Sequence, residues 1–292
     1  MSVLAFPVLV VAFKPVIMMH GVGSGAGEMA TIARLLNETH PGTIATSLAL
    51  YENSPAAWDH DLKTQVAGVT DAIRKLVAAD PALYADGYHM VCKSQGALTC
   101  RAVIESMDDH NVDTFVSLAG PQGGVYGPDF FASFEKRIPF LQNVTASAMW
   151  LVAYNFLGQK ISVANIWRDP HHLDAYMKGN VFLPKYTTDS TAQMKANFVR
   201  LKKAVFCVGS GPSFDGGIEP WQSAVFGAAG ADGVIRPMED QDFYKSDTFG
   251  LRSLHESGRL NFTVVPNATH GSWTGDEAQI TALVLPHIAS YA

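Results

Sequence analysis

The 292-residue chain contains a serine, an aspartate and a histidine, widely separated in the sequence, that could act together as nucleophile, orienting acid and base. Ser94 follows an apolar run at residues 88–92, and Asp215 and His270 come much later in the chain. A serine hydroxyl attacks a carbonyl carbon when an imidazole takes its proton, and a carboxylate orients that imidazole. The three residues therefore predict acyl transfer, with Ser94 as nucleophile, His270 as base and Asp215 as orienting acid.

Acyl transfer also needs hydrogen-bond donors for the oxyanion that forms during attack. The backbone N–H of Gln95, directly after the serine, is one predicted donor, and the N–H of Val22 is the other. Val22 lies in the glycine-rich segment 20–25, which follows a short apolar run. Such a loop could also bind phosphate, but the sequence there lacks the GxxxxGK[ST] pattern, which disfavours that interpretation.

The segment around the serine reads Cys92-Lys93-Ser94-Gln95-Gly96, so a cysteine stands where the Gly-x-Ser-x-Gly pattern has its first glycine. Small residues are favoured there because a strand and a helix meet closely at a strained turn. The motif remains a hypothesis until the surrounding elements support it.

Those elements follow an alternating order. Short apolar runs predict strands and residues with helical spacing predict helices between them. The predicted strands are 16–19, 44–48, 88–92, 114–118, 204–208 and 261–265, and the predicted helices are 29–36, 58–77, 96–107 and 276–288. Apolar strands without alternation are typical of a parallel sheet covered by helices on both faces. Ser94, Asp215 and His270 each follow such a strand, in the chain order of α/β-hydrolases. We therefore predict an α/β-hydrolase fold with a mostly parallel sheet.

The alternation stops at residues 121–200, a stretch rich in aromatic side chains. We predict a helical insertion over the active site, within a single domain spanning 14–292. It either forms an apolar groove for a long acyl chain or simply packs as a cap. Residues 1–13 are apolar but lack a basic start, so they are either a remnant of a secretory leader or a first strand.

Composition and short motifs bear on the protein's partners and its cellular compartment. The net charge is −6, and no Lys/Arg run alternates with aromatic residues, so no nucleic acid is expected as a partner. The sequence has no apolar stretch of the ~20 residues that a membrane span needs, and it does not indicate an oligomeric state. Four N-glycosylation sequons favour the secretory pathway; their asparagines are Asn37, Asn143, Asn261 and Asn267.

The chain has three cysteines. Cys92 and Cys100 lie eight positions apart, across a predicted strand–turn–helix, and could form a disulfide or remain two buried thiols. Cys207 lies in an apolar strand and is interpreted as a core thiol. None of these spacings is typical of a zinc site.

Taken together, the sequence resembles the palmitoyl-protein thioesterase family, and most of all its type-two branch. The matching segments are 15–21, 37–43, 92–96, 107–113, 121–127, 167–172, 215–223 and 249–251. The resemblance implies a lysosomal α/β-hydrolase that cleaves fatty-acyl thioesters with Ser94, Asp215 and His270, without metal or cofactor. It also implies a disulfide between Cys92 and Cys100, and a preference for acyl-CoA over palmitoylated protein.

The chain departs from the family pattern at a few positions. Lys93 stands where the family has an aromatic residue beside the serine. Ala153 and Ala164 stand where the type-two branch has a further disulfide, and Val265 replaces another cysteine. The pair His171-His172 could suggest a metal, but no carboxylate at ligand spacing completes a site, so none is expected.

Two other functions remain open on the sequence. A lipase or esterase acting on lipid oxyesters would use the same three residues. A non-catalytic protein that binds acyl chains could keep the fold, although the complete set of three residues argues against it. A thiol with a pKa near ~8.5 leaves with little protonation, so a thioester is the easier substrate.

Overall fold

A computed structural model describes residues 13–53, 60–135, 138, 141–211 and 217–288. Its centre is a six-stranded sheet in which all neighbouring strands are parallel. The strands are β1 (Val16–Met19), β2 (Ala45–Ser47), β3 (Tyr88–Lys93), β4 (Val112–Leu118), β5 (Lys203–Ser210) and β8 (Leu260–Pro266), in the spatial order β2-β1-β3-β4-β5-β8. Two short strands, β6 (Ala228–Ala229) and β7 (Ile235–Arg236), form a separate antiparallel pair. The predicted fold class is confirmed.

The three strands β1, β3 and β4 are buried along their whole length. Helices α1 (Ala30–Thr39), α2 (Leu62–Ala79) and α3 (Ser94–Ser106) follow β1, β2 and β3 in the chain. A parallel sheet of this kind needs apolar residues on both faces, since crossover helices cover both. This is why the strands appear in the sequence as continuous apolar runs.

Helix α2 shows how the sequence specifies an element. Asp61 caps its first turn by accepting the Thr64 N–H at 2.8 Å, which satisfies an N–H that has no partner within the helix. Leu62, Val66 and Ile73 recur at helical spacing and are buried. The apolar stripe therefore fixes which face of α2 packs on the core.

Between β4 and β5 the described chain forms only helices and turns, apart from one isolated bridge that joins Val125 to Trp167. The helices are α4 (Pro128–Phe134), α5 (Met149–Ala153), α6 (Ser162–Ile166), α7 (Leu173–Gly179) and α8 (Ala192–Val199). Phe130 and Phe131 both pack against Trp167, with ring centroids 6.5 and 6.2 Å from the centre of its ring. This is the segment in which the sequence predicts a helical insertion.

A buried side-chain amide cross-links this segment. Gln159 Nε2 donates to Ala153 O at 2.6 Å and to Ala164 O at 3.3 Å. These are the two positions at which the family resemblance places a further disulfide. Asn165 donates to Gln159 Oε1 at 2.9 Å and accepts the Leu62 N–H at 2.8 Å, which ties the segment to the start of α2. Hydrogen bonds here connect the two positions between which the resemblance places that disulfide.

The remaining helices are α9 (Asp242–Lys245), α10 (Leu251–Glu256), α11 (Ser272–Gly275) and α12 (Glu277–Leu283). The helix predicted at 276–288 ends earlier, at Leu283, and a 3₁₀ turn follows at Leu285–His287. Pro286 has no N–H to donate and clashes with a preceding helical turn, so the α-helix stops before it. Within the described ranges, no helix is both long and apolar enough to cross a bilayer.

The segment predicted as a leader remnant or first strand, residues 1–13, lies outside the described residues except for Phe13. Three of the sequon asparagines, Asn37, Asn143 and Asn267, are exposed, whereas Asn261 lies in β8 and is half-buried. Their glycosylation stays a prediction.

Candidate active site

Ser94 is the first residue of α3 and directly follows β3, near the middle of the sheet. Its φ of 53° lies in the left-handed region, which residues with a Cβ rarely adopt. A Cβ added at Gly96 would lie 2.1 Å from His20 O, so the turn admits no side chain there. This strained strand–turn–helix has the form of a nucleophile elbow.

The cysteine that replaces the first glycine of the elbow pattern is fully buried, as is Cys100. The two thiols are free and in contact with each other, and the disulfide that the resemblance implies stays a prediction. Burial and the contact with Cys100 raise the pKa of the Cys92 thiol well above its ordinary value. A pair of protonated thiols can satisfy each other in this apolar site without a covalent bond. Cys207 is a buried core thiol, as predicted.

His270 lies in the loop between β8 and α11. Its ring packs directly on the backbone of Gly217, where an added Cβ would lie 2.7 Å from His270 Cγ and Nδ1. Asp215 lies outside the described residues, so its role as the orienting acid stays a prediction. Gly217 follows it by two positions in the sequence, and glycine at that position leaves room for the imidazole.

Ser94 and His270 line the same cavity, which has a volume of about 270 Å³. Val22 and Gln95, the two predicted oxyanion donors, also line it. Gln95 is in the first turn of α3, where backbone N–H groups have no acceptor within the helix. The arrangement can therefore bring a nucleophile, a base and two N–H donors to one acyl carbonyl.

The rest of the cavity wall is mostly apolar, and most of it comes from the segment between β4 and β5. These lining residues are Pro121, Phe130, Ser133, Phe134, Val163 and Ile166, joined by Gly217 and Ile218 from the chain after β5. Ligand pockets of this kind bind an apolar body and fix its orientation with a few polar groups. An acyl chain meets that requirement.

Lys93, the departure beside the serine, is only 4% exposed. Its Nζ lies 2.5 Å from Glu28 Oε1 and 3.3 Å from Thr274 Oγ1. Glu28 Oε2 accepts the N–H of Gly21, the residue before Val22, at 3.0 Å. Burial alone would raise the pKa of Glu28, but the hydrogen bond and charge of Lys93 and the Gly21 N–H outweigh it, so the pKa of this carboxyl lies below its usual range. The ion pair thus links the nucleophile turn to the loop that carries Val22.

Sequence reasoning missed Glu28, which lies 65 positions from Lys93. One signal was available, because a buried lysine requires a carboxylate partner. Glu28 is the one carboxylate in the glycine-rich loop and the predicted first helix, residues 20–36.

The two adjacent histidines do not converge on a common point. His172 Nδ1 lies 2.9 Å from Asp169 Oδ2, and its ring stacks on Trp150 at 4.2 Å. The His171 ring instead contacts Tyr126 edge-on at 5.7 Å. Across the part of the chain that the structure describes, no group of three or more His, Cys, Asp or Glu side chains is arranged to hold a metal ion.

Comparison with known proteins identifies the family. The family model for palmitoyl protein thioesterase matches residues 15–270. Human lysosomal thioesterase PPT2 is 33% identical over 282 residues, covering 95% of this chain and 89% of the relative. The Drosophila melanogaster homologue of that enzyme is 35% identical over 285 residues, covering 95% of this chain and 92% of the relative.

Solved structures show the same fold at low sequence identity. A lipase from Bacillus licheniformis superposes with a TM-score of 0.50 at 15% identity, covering 96% of this chain and 93% of the lipase. A dienoate hydrolase from a Rhodococcus strain gives a TM-score of 0.50 at 13% identity, covering 95% of this chain and 91% of the hydrolase. These two likenesses concern the fold alone, whereas the family match spans most of the sequence. The chain belongs to the palmitoyl protein thioesterase family.

Proposed function

We propose that this protein is a lysosomal serine thioesterase that hydrolyses fatty-acyl thioesters. The observation that carries the proposal is that Ser94, in its strained turn, and His270 border one cavity, which apolar side chains of the segment between β4 and β5 also line. The names of the curated relatives, which are lysosomal thioesterases, support the substrate class and the compartment.

The reaction proceeds in two acyl transfers. His270 takes the proton of Ser94 Oγ as this oxygen attacks the thioester carbonyl carbon, the C–S bond breaks, and the thiolate leaves with a proton from the imidazolium. Water then attacks the acyl-serine with His270 again as base, which releases the fatty acid and restores Ser94. Asp215 orients the imidazole and stabilises its charged form.

The N–H groups of Val22 and Gln95 stabilise the oxyanion in both steps. Where such donors have been removed in other enzymes, each loss cost roughly 3–4 kcal/mol of transition-state stabilisation. Both residues border the cavity beside Ser94. Since the donors act on the developing charge, they raise kcat more than they tighten substrate binding.

The acyl chain lies against the apolar wall that α4 and α6 provide, with residues 121–200 acting as an insertion over the site. Phe130, Phe134, Val163 and Ile166 form this wall. Burying a methylene group there gains about 0.8 kcal/mol. The thiol portion, from coenzyme A or from an S-acylated cysteine, extends toward solvent.

The competing function is hydrolysis of lipid oxyesters. Turnover of palmitoyl-CoA and of a matched palmitoyl oxyester by the purified protein separates the two, with Ser94→Ala as control. We expect faster thioester hydrolysis, and serine labelling by a fluorophosphonate that Ser94→Ala abolishes. Faster oxyester turnover would identify an esterase, and acyl binding without labelling would identify a carrier. A parallel assay with an S-palmitoylated peptide tests the preference for acyl-CoA.

A further inference from the structure

Four large apolar side chains of the segment between β4 and β5 are strongly exposed. They are Leu151 of α5, Phe156 and Leu157 in the loop after it, and Val181 after α7, and we refer to them as the apolar patch. Phe156 and Leu157 are the most exposed large apolar residues that the structure describes, at 77% and 75%. None of the four lines the catalytic cavity. The catalytic role of the segment therefore does not explain them.

Hydrogen bonds bring the members of the patch together. Asn155 Nδ2 donates to Leu151 O at 3.0 Å, and Asn155 Oδ1 accepts the Gly158 N–H at 2.8 Å, so the loop carrying Phe156 and Leu157 folds back on α5. Gln159 Oε1 accepts the Val181 N–H at 2.9 Å, which places Val181 beside the end of this loop. The backbone segments that carry the four side chains are thus tied together.

The loop is held firmly in this position. A Cβ added at Gly158 would lie 1.9 Å from Val152 O, so the turn after Leu157 is packed directly on the backbone of α5. Transferring a Phe or Leu side chain from water to an apolar phase is favourable. A tightly packed turn that nevertheless keeps both side chains in water presents a surface suited to burial by a partner.

The charged residues near the patch in the sequence favour an anionic partner. Residues 141–167 contain no aspartate or glutamate, and Lys160 is their only charged residue. Residues 175–188 contain only lysines as charged residues, Lys178 and Lys185, although the whole chain carries a net charge of −6. Lys160 Nζ lies 5.0 Å from the centre of the Phe156 ring. Asp174, one helical turn before Lys178, is the first carboxylate on the neighbouring helix.

We propose that the apolar patch docks this protein onto the surface of an anionic lipid bilayer. Phe156, Leu157 and their neighbours enter the boundary between headgroups and acyl chains, as the apolar face of an interfacial segment does. Lys160 and Lys178 extend along that boundary and pair with anionic headgroups. The net negative charge elsewhere does not oppose this strongly, because screening limits its reach to about 10 Å.

Docking in this orientation would bring the membrane surface near the segment that lines the catalytic cavity. Helix α6, which follows the patch loop by only a few residues, contributes Val163 and Ile166 to the cavity wall. The membrane surface would therefore lie against the same segment that covers the acyl-chain cavity. The proposal goes beyond thioester hydrolysis and does not require it, since the patch and the cavity share no residue.

Vesicle flotation tests the proposal. The purified protein is mixed with vesicles of phosphatidylcholine alone or of phosphatidylcholine with phosphatidylglycerol. We expect the protein to float with the anionic vesicles, and the double substitution Phe156→Ser with Leu157→Ser to weaken binding about tenfold or more. Lys160→Gln with Lys178→Gln should weaken binding to anionic vesicles and reduce its dependence on salt. Val234→Ser, at an exposed valine of the β6–β7 turn, is the matched control and should float as the unmodified protein does.

Three results would overturn the proposal. In the first, the unmodified protein stays unbound, and in the second, the Phe156/Leu157 double variant floats equally well. In the third, sedimentation shows that the patch joins two copies of the chain, with the double variant monomeric and no flotation of either. Hydrolysis of a soluble short-chain acyl-CoA is measured on every variant. Loss of flotation with full hydrolysis affects only the docking proposal, whereas absence of hydrolysis in the unmodified protein affects only the proposed function.

Discussion

The Lys93 ammonium lies 2.5 Å from Glu28 Oε1, and the other oxygen of that carboxylate accepts the Gly21 N–H at 3.0 Å. A largely buried ion pair thus joins the residue before the nucleophile to the residue before a predicted oxyanion donor. An added Cβ on Gly21 would lie 2.9 Å from Ser94 Cβ, so the two backbone segments are in close contact. Because oxyanion stabilisation depends on donors held in place before the reaction, we expect this ion pair to contribute to catalysis through geometry.

Glu28→Gln should lower kcat by about tenfold with little change in KM. The substitution removes the ion pair, leaves the Lys93 charge buried without its partner, and loosens the loop that carries Val22. Steady-state kinetics with a soluble acyl-CoA measure the effect. Lys75→Gln, which removes the exposed Asp71–Lys75 ion pair, is the control and should leave both constants unchanged. An unchanged kcat in Glu28→Gln would show that the loop holds its position without the carboxylate.

Gly217→Ala should reduce kcat by about a hundredfold or more while the protein stays folded. The added methyl group would lie 2.7 Å from the His270 ring and would displace the imidazole from Ser94. Misplacing a catalytic group by about 1 Å can cost this much. Gly271→Ala is the matched control, because an added Cβ there meets nothing within 4 Å. Equal activity of the two variants would contradict the position assigned to His270.

Gln159→Leu should destabilise the fold by about 2–4 kcal/mol. The leucine keeps the volume but removes the side-chain amide that pairs with the Ala153 carbonyl and the Val181 N–H. The Ala164 carbonyl and the Asn165 amide each lose one of their hydrogen bonds as well. The midpoint of urea unfolding measures the loss. Gln142→Leu, at an exposed position of the same segment, should change stability by less than about 0.5 kcal/mol. Similar midpoints for both variants would mean that the amide cross-link does not stabilise the segment.

The stability of the protein should fall as the pH decreases from about 6.5 toward 4. Burial lowers the pKa of both His89 and His110 to about 4. In the unfolded chain their pKa is near ~6.5, so the unfolded state binds more protons in this range and gains stability relative to the folded state. Each histidine should cost on the order of 2 kcal/mol between pH 7 and pH 5.

His110 provides the test. Its Nδ1 accepts the Val112 N–H at 3.2 Å and its Nε2 lies 3.0 Å from Asn197 O, a pairing that requires a neutral ring with the proton on Nε2. His110→Asn should lower stability at pH 7 but reduce its pH dependence, as measured by urea unfolding at pH 7 and pH 5. His171→Asn, at an exposed position, should keep the pH dependence of the unmodified protein. If all three proteins show the same slope, burial of His110 does not set the acid sensitivity.

Much of the fold can be predicted from the sequence because buried parallel strands appear in it as continuous apolar runs. The predicted strands at 88–92 and 114–118 differ from β3 and β4 by at most two residues at either end. The apolar pattern ends before Lys93, but β3 includes this residue. A lysine can be buried there because Glu28 neutralises its charge. The short elements between Ala228 and Glu256 have no such pattern. Contacts from distant residues, such as that of Lys195 with Asp247, hold them in place.

In the site, too, the residues that belong to local motifs were predictable, and those that depend on distant contacts were not. Ser94, Gln95 and Val22 could be identified because local motifs and glycine-rich loops have a fixed relation to strand ends, and the structure places all three around one cavity with His270. Glu28 was missed, since its role depends on a contact between segments far apart in the chain, and only the need of Lys93 for a carboxylate partner pointed to it. The Cys92–Cys100 disulfide is inferred from the resemblance alone and stays a prediction, and the structure has two buried thiols at these positions.

The most direct test of the central claim is to trap the acyl-enzyme. The protein is mixed with palmitoyl-CoA, quenched in acid within the first turnovers, and analysed by intact and peptide mass spectrometry. We expect one added palmitoyl group on the peptide that contains Ser94, and none in Ser94→Ala. Turnover without a covalent adduct, or an adduct on a different residue that persists in Ser94→Ala, would contradict the account.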